Sequence, residues 1–274
     1  PVAVGGAVCE DGGVQTDETA EANNAVANDM RLVPWEVNQC KSYNADTPAY
    51  TDEKADINNA IVDDVALPPL QVTAAGDVIY FGSDSIFERI RLNVSTAGVY
   101  SDITISWEYW DDVAVGWEAL EVTDNTNSFK NAGVNEITFT PPANWGKTTV
   151  DGVNVYWVRA VTSFGASPAI TTAPLGAQAW LPKTGDAYYF GMTNPWDWLS
   201  LNIGTPGSGT WTVTWEYYDG ADWVSLPDTH DTSNGFRNGN YRSIAFSRPG
   251  DWGVASVGGI ANKYWIRAKI SAYT

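Results

Sequence analysis

An all-β chain of two tandem antiparallel β-sandwich domains, jelly-roll-like and preceded by an extended N-terminal arm, is predicted by three observations. A long segment recurs once, its strand-like runs alternate with period two, and clusters of Gly, Asn, Asp and Pro separate those runs at short intervals. The first copy opens on Gly76-Asp77-Val78-Ile79-Tyr80-Phe81-Gly82 and the second on Gly185-Asp186-Ala187-Tyr188-Tyr189-Phe190-Gly191.

In chain order, residues 1–75 come first and read as the arm. Thr16-Asp17-Glu18, Asn23-Asn24-Ala25, Asp29 and Pro34 are echoed 35 residues later by Thr51-Asp52-Glu53, Asn58-Asn59-Ala60, Asp64 and Pro69. Ile57, Ile61 and Val65 have helical spacing behind Thr51 as an N-cap, so short helices within an extended arm are expected. A polar, acidic arm that buries no core of its own orders on another surface, either its own domains or a neighbouring subunit.

The first sandwich is predicted over 76–163. Ile103, Ile105, Trp107 and Tyr109 share one face of a strand, and Thr104, Ser106 and Glu108 share the other. Further strand-like runs fall at 77–81, 87–94, 117–122, 135–140 and 155–162. Residues 164–184, with Pro168, Pro174, Gly176 and Pro182, read as a semi-stiff connector. The second sandwich follows over 185–274. Trp107-Glu108-Tyr109-Trp110 matches Trp215-Glu216-Tyr217-Tyr218, Trp117 matches Trp223, and Phe129 matches Phe236. Pro142 and Trp145 match Pro249 and Trp252, and Tyr156-Trp157-Val158-Arg159-Ala160 matches Tyr264-Trp265-Ile266-Arg267-Ala268, all at offsets between 106 and 109.

Composition limits the function. With 33 acidic and 15 basic residues the net charge is -18, which repels phosphate backbones, so no nucleic-acid partner is expected. No apolar run nears the roughly 20 residues that cross a bilayer, and no membrane insertion is expected. The start of the chain has neither the basic region nor the apolar stretch of a signal peptide, and Pro1 is what removal of an initiator Met leaves, so cytoplasmic synthesis is expected. Cys9 and Cys40 lie outside both copies, so neither copy depends on a disulfide or a Cys-held metal; whether the two pair is left open.

The chemistry-bearing residues point away from an enzyme. Glu108 and Arg159 recur as Glu216 and Arg267 and read as cross-strand ion pairs, since a lone carboxylate has no partner for paired acid–base work. His230 is the only histidine, and its loop has a first-copy counterpart at Val122-Thr123-Asp124 without one. Asp124, Asn125, Asn127, Asp228 and Asp231, with Asp111-Asp112, Asp219 and Asp222, offer oxygen ligands suited to calcium, although turn chemistry explains the same residues and no EF-hand pattern is present. No other cofactor is expected. Among 14 tryptophans, Trp110, Trp117, Trp196, Trp198 and Trp223 lie at strand ends or turns where they can stack on sugar rings, whereas Trp107, Trp211 and Trp215 are assigned inward. Asn93-Val94-Ser95 is a glycosylation sequon without a counterpart at Asn202-Ile203-Gly204.

The Gly-Asp-x-x-Tyr-Phe-Gly opening, the Trp-Glu-Tyr-Trp/Tyr strand, the Pro-x-x-Trp-Gly turn and the Tyr-Trp-Val/Ile-Arg-Ala closing strand resemble repeat domains in structural proteins of tailed bacterial and archaeal viruses, over residues 76–274. The resemblance implies β-sandwiches exposed on a particle and transfers no functional residue. It implies a non-enzymatic capsid decoration or turret-like protein on the virion surface. On that expectation residues 1–70 dock on the capsid or a neighbouring subunit, the chain is a homo-oligomer, and the sandwiches face outward. The alternatives are a carbohydrate-binding adhesin or tail-fibre module that attaches to a host glycan, and a cell-surface or filament protein.

Overall fold

The computed structural model describes residues 3–11, 14–24, 37–59, 61–207 and 211–273. The echo residues Ala25, Asp29, Pro34 and Ala60 lie outside them. In chain order the strands begin with β1 (Gly6–Asp11), β2 (Val14–Asp17), β3 (Gln39–Asn44), β4 (Ala49–Asp52), β5 (Val65–Ala66), β6 (Val78–Ser83), β7 (Arg89–Thr96) and β8 (Val99–Asp111). They continue with β9 (Gly116–Ala119), β10 (Val122–Asp124), β11 (Gly133–Phe139), β12 (Lys147–Val150), β13 (Val153–Thr172), β14 (Leu175–Trp180) and β15 (Ala187–Met192). The remainder are β16 (Trp198–Ile203), β17 (Trp211–Tyr218), β18 (Trp223–Ser225), β19 (His230–Asp231), β20 (Asn240–Ala245), β21 (Val254–Val257) and β22 (Ile260–Tyr273). Two single-turn helices, α1 (Thr19–Ala22) and α2 (Lys54–Ile57), complete the described elements, and no described helix is long and apolar enough to cross a membrane.

The strands form antiparallel sheets in two compact units. The first unit is Trp35–Lys183; the second joins Pro1–Pro34 to Thr184–Thr274. In the first unit, a seven-stranded sheet runs β4-β3-β6-β13-β8-β9 with β12 also on β13, and a five-stranded sheet runs β10-β11-β7-β14-β5. Both sheets feed one core. Phe81, Trp107, Tyr109 and Val158 come from the larger sheet, and Ile90, Leu92, Ile137 and Ala179 from the smaller. This is the β-sandwich-like, all-β arrangement that the alternation predicts. In the second unit the order is β18-β17-β22-β15-β1-β2, with β21 also on β22, beside a three-stranded sheet β16-β20-β19. Core geometry repeats between the units: Phe81 stacks on Trp107 at 6.3 Å and 27°, and Phe190 on Trp215 at 6.3 Å and 29°.

Each larger sheet also buries part of its outer face. Tyr80 and Trp157 form a second cluster with Val78 and Val155, and Tyr189 and Trp265 form one with Val8 and Val257. Burial on both faces explains why β6 and β15 read as nearly continuous apolar runs.

The expected arm is corrected. Its described residues are hairpins built into the sheets: β1 pairs with β15, from Gly6↔Gly191 to Glu10↔Ala187, and β3 pairs with β6, from Gln39↔Gly82 to Tyr43↔Val78. The 35-residue echo is therefore one hairpin and helical turn used twice. Glu18 N–H donates to Ala7 O and Glu53 N–H to Cys40 O, while Asp17 and Asp52 accept from the amides of Thr19 and Lys54. Thr51 lies in β4 and is no N-cap; α2 ends at Ile57, Ile61 is 63% exposed, and Val65 starts β5. Hairpin strands of four to six residues with Asn and Asp at their ends leave little alternation to read.

The connector is corrected too. β13 runs through its first half, with Pro168 absorbed where the register shifts between Phe164 and Ala169, and β14 returns to pair with β7. The cysteines lie inside the units, Cys9 in β1 and Cys40 in β3, and both are buried. Burial pushes the Cys40 thiol pKa well above its ordinary value, which makes it a poor nucleophile. Asn93 lies within β7, paired on both sides with Val134 and Gln178.

Candidate functional site

The predicted Glu–Arg pairs form across the central strands. Glu108 faces Arg159 between β8 and β13, and Arg159 Nε donates to Glu108 Oε2 at 2.7 Å. Glu216 faces Arg267 between β17 and β22, with the same bond at 2.6 Å. Each guanidinium also lies over an indole, Trp117 at 4.1 Å and Trp223 at 4.5 Å from the ring centroid. The alternation that sends Trp107 and Tyr109 to the core sends Glu108 and Trp110 to the outer face, where Trp110 meets Trp117 edge-on at 5.8 Å. Tyr218 and Trp223 meet in the corresponding place at 5.7 Å, tilted by 56°. Burial raises the Tyr80 and Tyr189 hydroxyls to about 12, and the Tyr189 hydroxyl accepts from Arg267 Nη1 at 3.3 Å while donating to Glu10 at 2.9 Å.

The structure thus brings Trp110 and Trp117 together, places Trp223 in the corresponding position of the other unit, and spends one face of Trp117 and Trp223 on an arginine. Trp196 is a packing residue, with Phe246 at 5.2 Å and Trp252 at 5.9 Å. Trp198 stands apart. It is 59% exposed on the outer face of β16, and Tyr241, on the same face of β20, is 76% exposed. Between them the register sets Ser200 opposite Ser243 and Asn202 opposite Tyr241.

The calcium set is tied into turns. Asp124 accepts from the amides of Thr126 and Ser128 and from Trp107 Nε1; Asp231 accepts from those of Ser233 and Gly235 and from Trp215 Nε1. Asn127 has φ of 50° as a turn residue, the Asn125 amide donates to Glu136 O, and Asp228 accepts from the Ser247 hydroxyl. Asp111 and Asp219 cap turns likewise, and backbone amides, those of Ala114 and Asp222 foremost, hold both carboxyl pKa values below the ordinary range. No group of three or more His, Cys, Asp or Glu side chains arranged for a metal occurs among the described residues. His230 is exposed on β19. Asp124→Ala and Asp231→Ala should each cost about 1–2 kcal/mol through lost turn hydrogen bonds, while adding calcium or a chelator leaves the wild-type melting temperature unchanged. A calcium-dependent rise in melting temperature that either variant abolishes would contradict this account.

Sequence reasoning missed Glu53, which is 3% exposed and accepts from the Ser42 hydroxyl at 2.6 Å. The signal was its place in the echo, where Glu18 accepts from the Tyr188 hydroxyl at 2.6 Å. Burial raises the Glu53 pKa, against the Ser42 hydrogen bond. A raised folded-state pKa contributes stability that is complete below the unfolded value, about 4.3, and lost as pH rises through the folded value. Glu53→Gln should therefore raise the melting temperature at pH 8 by about 2–4 °C and give no gain near pH 3. Equal gains at both pH values would exclude charge burial as the cause.

No protein-family model and no curated protein matches this chain.

Proposed function

We propose that the chain is a non-enzymatic virion structural protein, a capsid decoration or turret-like component that displays two β-sandwich units outward. The observation that carries the reading is the use of the recurring polar residues. Glu108 and Glu216 are paired with arginines, and Asp124 and Asp231 are consumed by turn amides and indole N–H groups. What recurs therefore serves folding, and recognition falls to surfaces that differ between the units. Residues 1–70 no longer suit the role of a detachable docking arm, because β1 to β5 are sheet strands; attachment in this proposal uses the exposed sheet edges and faces.

Gold-labelled antibody against the native chain tests the assignment directly. Regularly spaced label on isolated particles is expected; label confined to cell envelopes or filaments would overturn it. Host-glycan attachment is a second reading, favoured by Trp198 and Tyr241 flanking a row of hydroxyl and amide side chains. Glycan-array binding that Trp198→Ala abolishes would support it, and no Trp198-dependent signal would remove it.

A further inference from the structure

Independently of the virion reading, we propose that Asn234-Gly235 is a latched self-modification site, at which the second unit deamidates itself through a cyclic imide when Arg237 releases the turn. Each unit has a turn that carries a buried phenylalanine. Asn127-Ser128-Phe129-Lys130 and Asn234-Gly235-Phe236-Arg237 hold corresponding places, each starting three residues after the Asp that caps the turn. The backbone is the same in both, three consecutive left-handed residues: φ is 50°, 58° and 63° over 127–129, and 53°, 62° and 67° over 234–236. The chemistry differs, because only the second unit places a glycine after the asparagine.

An asparagine side chain can react with the amide nitrogen that follows it. Gly235 N bonds to Asn234 Cγ, the Cγ–Nδ2 bond breaks, and the proton from Gly235 N leaves with that nitrogen as ammonia. Water then opens the ring at either carbonyl, giving aspartate or a chain that continues through the side-chain carboxyl. Glycine hinders this least, since it has no Cβ beside the nitrogen and the widest choice of backbone angles. Asn234 is exposed, so water reaches it.

The folded turn holds the reacting atoms apart. A left-handed residue has ψ of about +47°, which turns its carbonyl oxygen toward its own side chain and the following nitrogen away from it. Arg237 fastens that arrangement: Nε donates to Asn234 O at 2.9 Å and Nη2 to Asn234 Oδ1 at 3.1 Å, so one guanidinium holds both oxygens on one side. Gly235 N–H is directed elsewhere, to Asp231 Oδ2 at 3.1 Å. In the first unit the counterpart of Arg237 is Lys130, whose ammonium lies 4.2 Å from the centroid of the Tyr100 ring, and the asparagine there precedes a serine. The product no longer fits the turn. Gly235 O accepts from Trp211 Nε1 at 2.9 Å, Asp231 Oδ2 accepts from Trp215 Nε1 at 3.1 Å, and Phe236 is 3% exposed. An extra backbone carbon before Gly235 displaces these contacts, so conversion loosens the second unit and spares the first.

The test incubates the full chain at physiological pH and temperature in heavy-oxygen water and follows label uptake at Asn234 by peptide mass spectrometry. The free peptide of residues 229–237 should convert about ten-fold faster than the folded chain or more, as a turn that is open only a small part of the time requires. Arg237→Ala should raise the rate in the folded chain several-fold at a temperature where amide exchange shows both units folded. Arg237→Lys keeps the charge but loses the two-pronged donor, and should do nearly the same. Converted chains should show a lowered unfolding transition for the second unit alone. Equal rates in peptide and chain, wild-type rates in both arginine variants, or an unshifted second transition after conversion would each overturn the proposal.

Discussion

Removing residues 1–24 is expected to abolish the cooperative unfolding transition of the second unit and to leave that of the first in place. The β1–β2 hairpin is sheet, and it fills space. Ala7 and Val8 are fully buried and Cys9 is 8% exposed. Val8 belongs to the cluster that packs Trp265, and Gly6 lies so close to that indole that a Cβ there would stand 2.6 Å from it. Five residue pairs tie β1 to β15, and the Tyr188 and Tyr189 hydroxyls donate to Glu18 and Glu10 at 2.6 and 2.9 Å. Without the hairpin, β15 becomes an edge, the Tyr188 hydroxyl loses its acceptor, and Trp265 meets water. Buried side chains contribute about 1.5–3 kcal/mol each, so the summed loss approaches the ~5–15 kcal/mol that a whole domain has. Urea unfolding followed by tryptophan fluorescence, with amide exchange assigning each transition, checks this. Two unchanged transitions in the truncated chain would show that the hairpin is dispensable.

That expectation reverses the one a reading of composition invites, in which residues 1–70 are a removable arm. The long strands were legible because Trp107, Tyr109, Trp215 and Tyr217 alternate over enough residues to assign a face, and because duplication marked the same positions twice. The Glu–Arg pairs were legible for the same reason: residues that recur on two strands with matching offsets are candidates for facing each other, and they do. The short hairpins were not. β2 and β4 have four residues each, ending in Asp17 and Asp52, whose side chains belong to the following turn. The 35-residue echo held the information, but its meaning depends on long-range pairing, since β1 joins a strand more than 170 residues away. β14 was hidden by its prolines: Pro174 and Pro182 flank the strand, where they cost it no ladder hydrogen bond. Among the tryptophans, position at a strand end did not separate exposed from buried. Trp196 and Trp198 are two residues apart, yet one packs on Phe246 and Trp252 and the other points outward.

The last glycine of each Gly-Asp-x-x-Tyr-Phe-Gly run makes a sharper case, because its reason is an indole. A Cβ on Gly191 would stand 2.6 Å from Cε3 of Trp265, and one on Gly82 would stand 2.6 Å from Cε3 of Trp157. Neither ring has room to retreat: both are fully buried, and their Nε1 groups donate to Ala255 O at 3.1 Å and to Thr148 O at 3.1 Å. Trp265→Ala should cost about 3–5 kcal/mol, as deletion of a buried aromatic does. Gly191→Ala alone should cost about 1–3 kcal/mol by overpacking. Together they should cost less than their sum, since the alanine Cβ then enters space that the indole has left. A coupling on the order of 1–3 kcal/mol is expected between contacting residues, of the sign that relieves a clash. Chemical denaturation of the two single variants and the double variant measures it, and Gly82 with Trp157 should give the same sign. If Gly191→Ala is equally costly with and without the indole, backbone requirements at that position, and not the approach of the ring, demand the glycine.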